Sequence, residues 1–158
     1  MDDRAFRHAM GKFATGVTII TTKLGNDIHG MTANAFMSVS LNPKLVLVSV
    51  DHKATMKHYI NHSGKFAISF LNQDQKELSA YFAGQMKETR EIDFHWFHEL
   101  PTIKEALVNL VCELHDAVDA GDHTLFIGKV TDLEVRDGEP LAFYEGKYRE
   151  LVSSERVK

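Results

Sequence analysis

Most of the β-branched runs in this chain are separated by turns of only a few residues, and that restricts how they can pair. VTIITTKL, with its β-branched content, reads as a strand. Gly25-Asn26-Asp27 follows as turn chemistry, and the chain returns through IHGMTANAFMSVSL. Asn42-Pro43 marks another turn before LVLVSV, a nearly continuous apolar run expected to be covered on both faces. KFAISFL, VNLVCELHDAV and TLFIGKVTDLEV read as further strands, the last two separated by GDH, and LAFYEGKYREL closes the fold. About six or seven strands with short connections predict a mainly β fold, an antiparallel barrel with peripheral helices rather than a parallel βαβ sheet.

Three helices are expected. Asp2 or Asp3 can cap the first, in which Phe6, Met10 and Phe13 recur at helical spacing before Gly16 ends it. Lys53–His62 and Gln73–Phe82 read as the others, the latter with Leu78, Tyr81 and Phe82 on one side. GQMKETREIDFHWFHELP has no clear period and reads as an irregular excursion, and the terminal SSERVK as frayed. With 158 residues, 44% of them hydrophobic, a single domain over 1–158 with a proper core is expected.

No apolar run approaches the ~20 residues that span a bilayer, and MDDRAFRHAM lacks the order of a signal peptide. A cytoplasmic protein without a membrane partner is expected. The net charge is −4 with scattered Lys and Arg, which argues against nucleic acid. Cys112, the only cysteine, can form no disulfide within the chain and reads as a small core residue. There is no GxGxxG after a strand, no HExxH and no GxSxG, and Gly25 and Gly30 have P-loop spacing without the Lys-Ser/Thr that must follow. His58 and His62 lie four apart, but two solvated histidines explain them better than a metal. His95 and His98 flank Trp96-Phe97 and read as part of an aromatic patch that packs on the barrel or on a neighbouring subunit.

HGMTANAF is less easily explained. A buried strand usually avoids such a series of Gly30, Thr32, Ala33, Asn34 and Ala35. Either the chain turns or bulges there, or a planar ligand or phosphate approaches the backbone. Downstream, VSVDHKAT runs from a strand end into a helix start, where Ser49, Lys53, Thr55 and free helix N–H groups could hold a phosphate; an ordinary capped helix is the alternative.

FRHAMGKFATGVTIITT, HGMTANAFMSVSLNPKLVLVSV, YFAGQ, GDHTLFIGKV and GKY occur in that order. Together they resemble the short-chain flavin reductases of the FMN-binding split-barrel superfamily. The reductase components of two-component phenol 2-hydroxylase and 4-hydroxyphenylacetate 3-monooxygenase look most similar. The resemblance covers residues 3 to 150 and is weakest over 85–100. It implies an antiparallel split β-barrel and hydride transfer from NADH to FAD or FMN, with FAD favoured. Met31, Thr32, Ala33 and Asn34 would line the flavin, and Ser49, Val50, Lys53, Ala54 and Thr55 its ribityl chain and phosphate. Phe82, Ala83 and Gly84 would pack from the other side. His123 would orient the nicotinamide, bordered by Tyr148, Lys12 and Phe13. No metal is called for, because the flavin carries the chemistry. The resemblance further implies a homodimer and a separate oxygenase that receives reduced flavin. The competing expectation is a split-barrel carrier or sensor that binds flavin without turning it over, against which GDH and GKY argue.

Overall fold

Helix α1 (Asp3–Met10) opens the chain, followed by β1 (Thr15–Gly16), β2 (Thr18–Leu24), β3 (Asp27–Ala33), β4 (Phe36–Leu41) and β5 (Lys44–Asp51). Helix α2 (Thr55–Ser63), β6 (Lys65–Phe70), α3 (Lys76–Phe82), β7 (His95–Phe97) and β8 (Leu100–Thr102) come next. The long strands β9 (Val108–Ala120) and β10 (His123–Val135) precede the short hairpin β11 (Ala142–Tyr144) and β12 (Lys147–Arg149). These elements belong to a computed structural model that describes residues 1–157. Residues 154–157 form a 3-10 turn where fraying was expected, and Lys158 lies outside the described residues.

Every strand pairing is antiparallel. Seven strands form one sheet in the order β3-β2-β6-β9-β10-β5-β4. Its two edge strands, β3 and β4, are consecutive in the chain, with only Asn34 and Ala35 between them. Consecutive Cα atoms are about 3.8 Å apart, so Ala33 and Phe36 cannot be more than about 11 Å apart. The sheet must therefore curl until its edges meet at that point, and no ladder joins the two edges among the described residues. The result is a barrel left open along a seam. The run IHGMTANAFMSVSL is thus two strands, one on each side of the seam, with the break inside HGMTANAF, where a turn of the chain was one of the expectations.

The barrel interior is one apolar cluster that includes Ile20, Val46, Val48, Val50, Phe66, Ile68, Phe126 and Cys112. Side chains alternate along β5, with Val46, Val48 and Val50 inside and Leu45, Leu47 and Ser49 half-buried. One face of that strand is fully covered, where two were expected. Gly128 is a close-approach position, since a Cβ there would sit 2.7 Å from Phe66 Cζ and 2.8 Å from Cys112 Cβ. Burial pushes the Cys112 thiol up to about 12, so it is inert as a nucleophile.

A second cluster, containing Val17, Ile19, Leu71, Ile103 and Leu141, lies outside β2. It seats a separate three-stranded sheet, β1-β11-β12, against the barrel. Strand β2 is therefore buried on both faces, Ile20 toward the barrel and Ile19 toward this outer layer. The hairpin β11-β12 turns at Glu145 and Gly146, both with positive φ, as a tight two-residue connection requires.

Helix α1 is capped by the Asp2 carboxylate, which accepts from Ala5 N at 2.8 Å. It ends at Met10, before Phe13, and no residue of it is buried. The excursion contains the hairpin β7-β8, whose turn places His98 and Glu99 at positive φ. Three-residue strands, one containing Pro101, are too short to show a period. Among the described residues no helix is long and apolar enough to cross a membrane, and no group of three or more His, Cys, Asp and Glu could hold a metal ion.

Helix α2 buries Met56 and Ile60, and its Tyr59 stacks on His29 of β3 at 5.1 Å. Partial burial lowers the His29 pKa from its ordinary value of 6.5. The unfolded chain then takes up the proton first, so stability contributed by neutral His29 is present above pH 6.5 and lost as pH falls below it. We expect His29→Phe to flatten the acid side of a urea-midpoint profile between pH 7 and 5. An unaltered profile would show that His29 does not govern it.

Candidate cofactor site

At the seam the sheet has two edges, β3 and β4, with no ladder between them among the described residues. Asn34 and Ala35 are exposed at the seam's narrowest point. The segment is nonetheless held: Thr18 Oγ1 donates to Ala33 O at 2.7 Å, and Ser49 N donates to Ala35 O at 3.1 Å. Beside it opens a pocket of about 180 Å³. Thr32, Ala33 and Asn34 form one side, Ser79 of α3 and Ala83 at its C-cap a second, and Phe143 and Tyr148 of the small sheet a third. Val17 and Gln85 complete the lining. Ser79 Oγ and Tyr148 OH are hydrogen-bonded at 2.7 Å between two of these walls.

A second group of expected residues gathers where β5 runs into α2. Asp51 organises it, accepting Lys53 N on its carboxylate at 2.8 Å and Ala54 N on its carbonyl at 2.9 Å. Ala54 is the N-cap of α2 and offers no side-chain cap, so the first helical N–H groups face an uncapped end. Lys53 and Thr55 are exposed around that end. His123 stands opposite Asp51 in the β5-β10 ladder. Its Nδ1 bonds Asp122 Oδ1 at 2.7 Å, and this contact holds the Asp122 carboxyl below the usual range. Gly121, at φ 63°, makes the turn that puts both there. The hydrogen bond from Ser49 to Ala35 joins this group to the seam.

Several expected site residues are occupied otherwise. Gly30 does not leave room for a ligand: a Cβ there would lie 2.6 Å from Phe82 Cε1, so the Phe82 ring fills that space. Phe82 belongs to the outer apolar cluster, and the small residue on β3 exists to admit it. Val50 points into the barrel core and can present only its backbone, and Met31 packs on the same core. Ala33, 9% exposed, borders the pocket but also belongs to that core, so a larger residue there would overpack the barrel. Lys12 is paired with Glu145 at 2.8 Å, which raises the lysine's pKa and lowers the glutamate's, and Phe13 is 78% exposed. Neither lines the pocket, nor does His123. Gly84, at φ 75°, forms the turn after α3.

Val17, Ser79, Gln85 and Phe143 line the pocket without having been singled out. The turn residues Glu145-Gly146 could have exposed Phe143, because a two-residue turn places it opposite Tyr148. Ser79 gave no signal, lying between the apolar positions of α3.

From the expected irregular segment, His95 borders a separate crevice of about 360 Å³ that Lys104–Ala106, Asn109 and the end of β10 otherwise line. There His95 bonds Glu134 at 2.7 Å, while His98 bonds Asp132 at 2.6 Å nearby. Of the expected aromatic patch, Phe97 packs on a buried cluster of the barrel wall, and Trp96 meets Phe94 edge-on while half of it stays exposed under the Lys23 ammonium. None of the expected site residues lines this crevice. On α2, His62 Nδ1 contacts the His58 carbonyl at 2.8 Å.

The Gly30–Phe82 contact can be tested directly. Gly30→Ala should displace the ring and destabilise the fold by about 1–3 kcal/mol, as overpacking does. Phe82→Leu in the same chain should recover part of that loss. Urea denaturation measures both, and a neutral Gly30→Ala would refute the packing role.

Residues 10–152 match the family described as flavin reductase like domain. An NADH-dependent flavin reductase of Rhodococcus sp is 47% identical over 148 residues, covering 92% of this chain and 84% of that protein. The reductase component of 4-hydroxyphenylacetate 3-monooxygenase from Thermus thermophilus is 38% identical, covering 94% and 96%. The solved structure of flavin reductase PheA2 in its native state superimposes with a TM-score of 0.95 at 57% identity, covering 97% of this chain and all of that one. With a family match across most of its length and relatives at this level of identity, the chain belongs to the flavin reductase family.

Proposed function

We propose that this protein is an NADH-dependent flavin reductase that supplies reduced FAD or FMN, FAD being favoured, to a separate oxygenase acting on a phenol- or 4-hydroxyphenylacetate-type substrate. The observation that carries the reading is the continuity of the seam. It runs from an aromatic-walled pocket at Thr32–Asn34, past Ala35 and Ser49, to the uncapped end of α2 with Lys53 and Thr55. That sequence of surfaces suits a ligand with a flat ring at one end and an anionic phosphate at the other.

A bound flavin would supply the hydride-accepting and electron-carrying chemistry. The chain's own residues bind and orient. Phe143 and Tyr148 wall the ring end against water, and Asn34 offers amide hydrogen bonds at its edge. Lys53 and the first N–H groups of α2 oppose the phosphate charge. His123, its ring held by Asp122, is assigned to orienting the nicotinamide. A cytoplasmic location accords with the NADH the reaction consumes.

Disappearance of NADH absorbance in air, with FAD or FMN added to purified protein, tests the activity; a flavin-binding protein that leaves NADH unchanged would be a carrier or sensor. Lys53→Ala should weaken FMN about 10-fold or more, since hydrogen bonds to charged groups contribute about 1.5–3 kcal/mol, while riboflavin binds as before. Equal losses for both ligands in a fluorescence titration would remove the phosphate from α2.

A homodimer is proposed as well. Phe6, Met10 and Phe13 place an apolar N-terminal face outside the fold, with nothing of α1 buried in its own chain. Sedimentation should give a dimer at micromolar concentration, and a monomer after Phe6→Ser and Met10→Ser together. An active wild-type monomer would contradict this.

A further inference from the structure

We infer that Ser79 is a positioning residue for the pocket, acting through the Tyr148 hydroxyl; the inference rests on the flavin reductase reading. Ser79 is 1% exposed in the middle of α3, between residues that serve the apolar packing. A buried hydroxyl is unfavourable unless it is hydrogen-bonded. Its partner is Tyr148 OH, 2.7 Å away on β12. Ser79 is also joined to a third element, because its carbonyl accepts the Thr32 hydroxyl of β3 at 2.6 Å in addition to Ala83 N at 3.0 Å.

Thr32, Ser79 and Tyr148 all line the pocket, so one residue ties together its three walls. The rest of what holds the small sheet to α3 is apolar packing, which has no direction and lets a ring tilt. Tyr148 has an edge contact with Phe143, their centroids 5.6 Å apart, and that contact alone leaves its outer end unfixed. The hydrogen bond fixes that end. Ser79 thereby sets the angle of the aromatic wall against which the flavin and nicotinamide must align. Small misplacements of reacting groups can cost about 100-fold in rate, which makes this angle a kinetic quantity.

The test is a double-mutant cycle read by anaerobic stopped-flow reduction of bound flavin at saturating NADH. Ser79→Ala and Tyr148→Phe should each slow the limiting rate about 10-fold, and the double variant should be no slower than either. Tyr148→Phe removes one oxygen atom and leaves the packing intact, so it tests the inference even where Ser79→Ala fails to fold. A wild-type rate in Tyr148→Phe overturns the inference, and so do losses that multiply in the double variant. In both of those outcomes the wild-type protein still oxidises NADH, and the reductase reading stands. A wild-type protein that oxidises no NADH with either flavin overturns both together.

Discussion

Two residues, Asn34 and Ala35, join the opposite edges of a seven-stranded sheet, and much of the architecture depends on how short that link is. A sheet whose edges are so tethered has to curl, and its inner face becomes a closed apolar interior. Among the described residues those edges do not pair with each other: β3 pairs only with β2 and β4 only with β5. Carbonyl and amide groups that would satisfy each other in a closed barrel are available along the seam instead. Ser49 N reaches Ala35 O, but Asn34 remains exposed. An exposed edge is ordinarily an aggregation hazard. Here α3, the small sheet and the turn into α2 stand around it, and the remaining opening is the candidate site.

The outer layer depends on this geometry. Strand β2 lies next to the edge and carries Ile20 inward and Ile19 outward, so it needs apolar cover on both faces. The outer cover is assembled from distant parts of the chain: Val17, Leu71, Ile103 and Leu141. Phe82 locks α3 into it by filling the space above Gly30. Ser79 then meets Tyr148 with a polar contact amid apolar packing. Apolar burial brings the three walls together, and directional bonds decide how they face one another.

Much of this was legible in the residues. β-Branched runs, most with short connections, determined an antiparallel, mainly β fold, because a short connection cannot make the long crossover that joins two parallel strands. The lone Cys112 was readable as core, and GDH as the connection between two strands. HGMTANAF was readable as a place where a strand could not simply continue, and the ordered motifs pointed to the family. These are local properties, set by propensity and spacing.

Tertiary structure decided the rest, because it depends on which distant residues touch. Gly30 looked like room for a ligand, yet its neighbour is Phe82, 52 positions away. Val50 sits among site residues in the chain but points inward, since side chains alternate across a strand and only the assembled sheet shows which face is the core. Lys12 reaches Glu145, while Ser79 finds Tyr148. Neither contact has a local signature. The sequence by itself determined that this chain forms antiparallel strands interrupted at one unusual segment. Only the curled sheet decided that the interruption is a seam, because a seam requires two edges to meet, and edges exist only after all seven strands have paired.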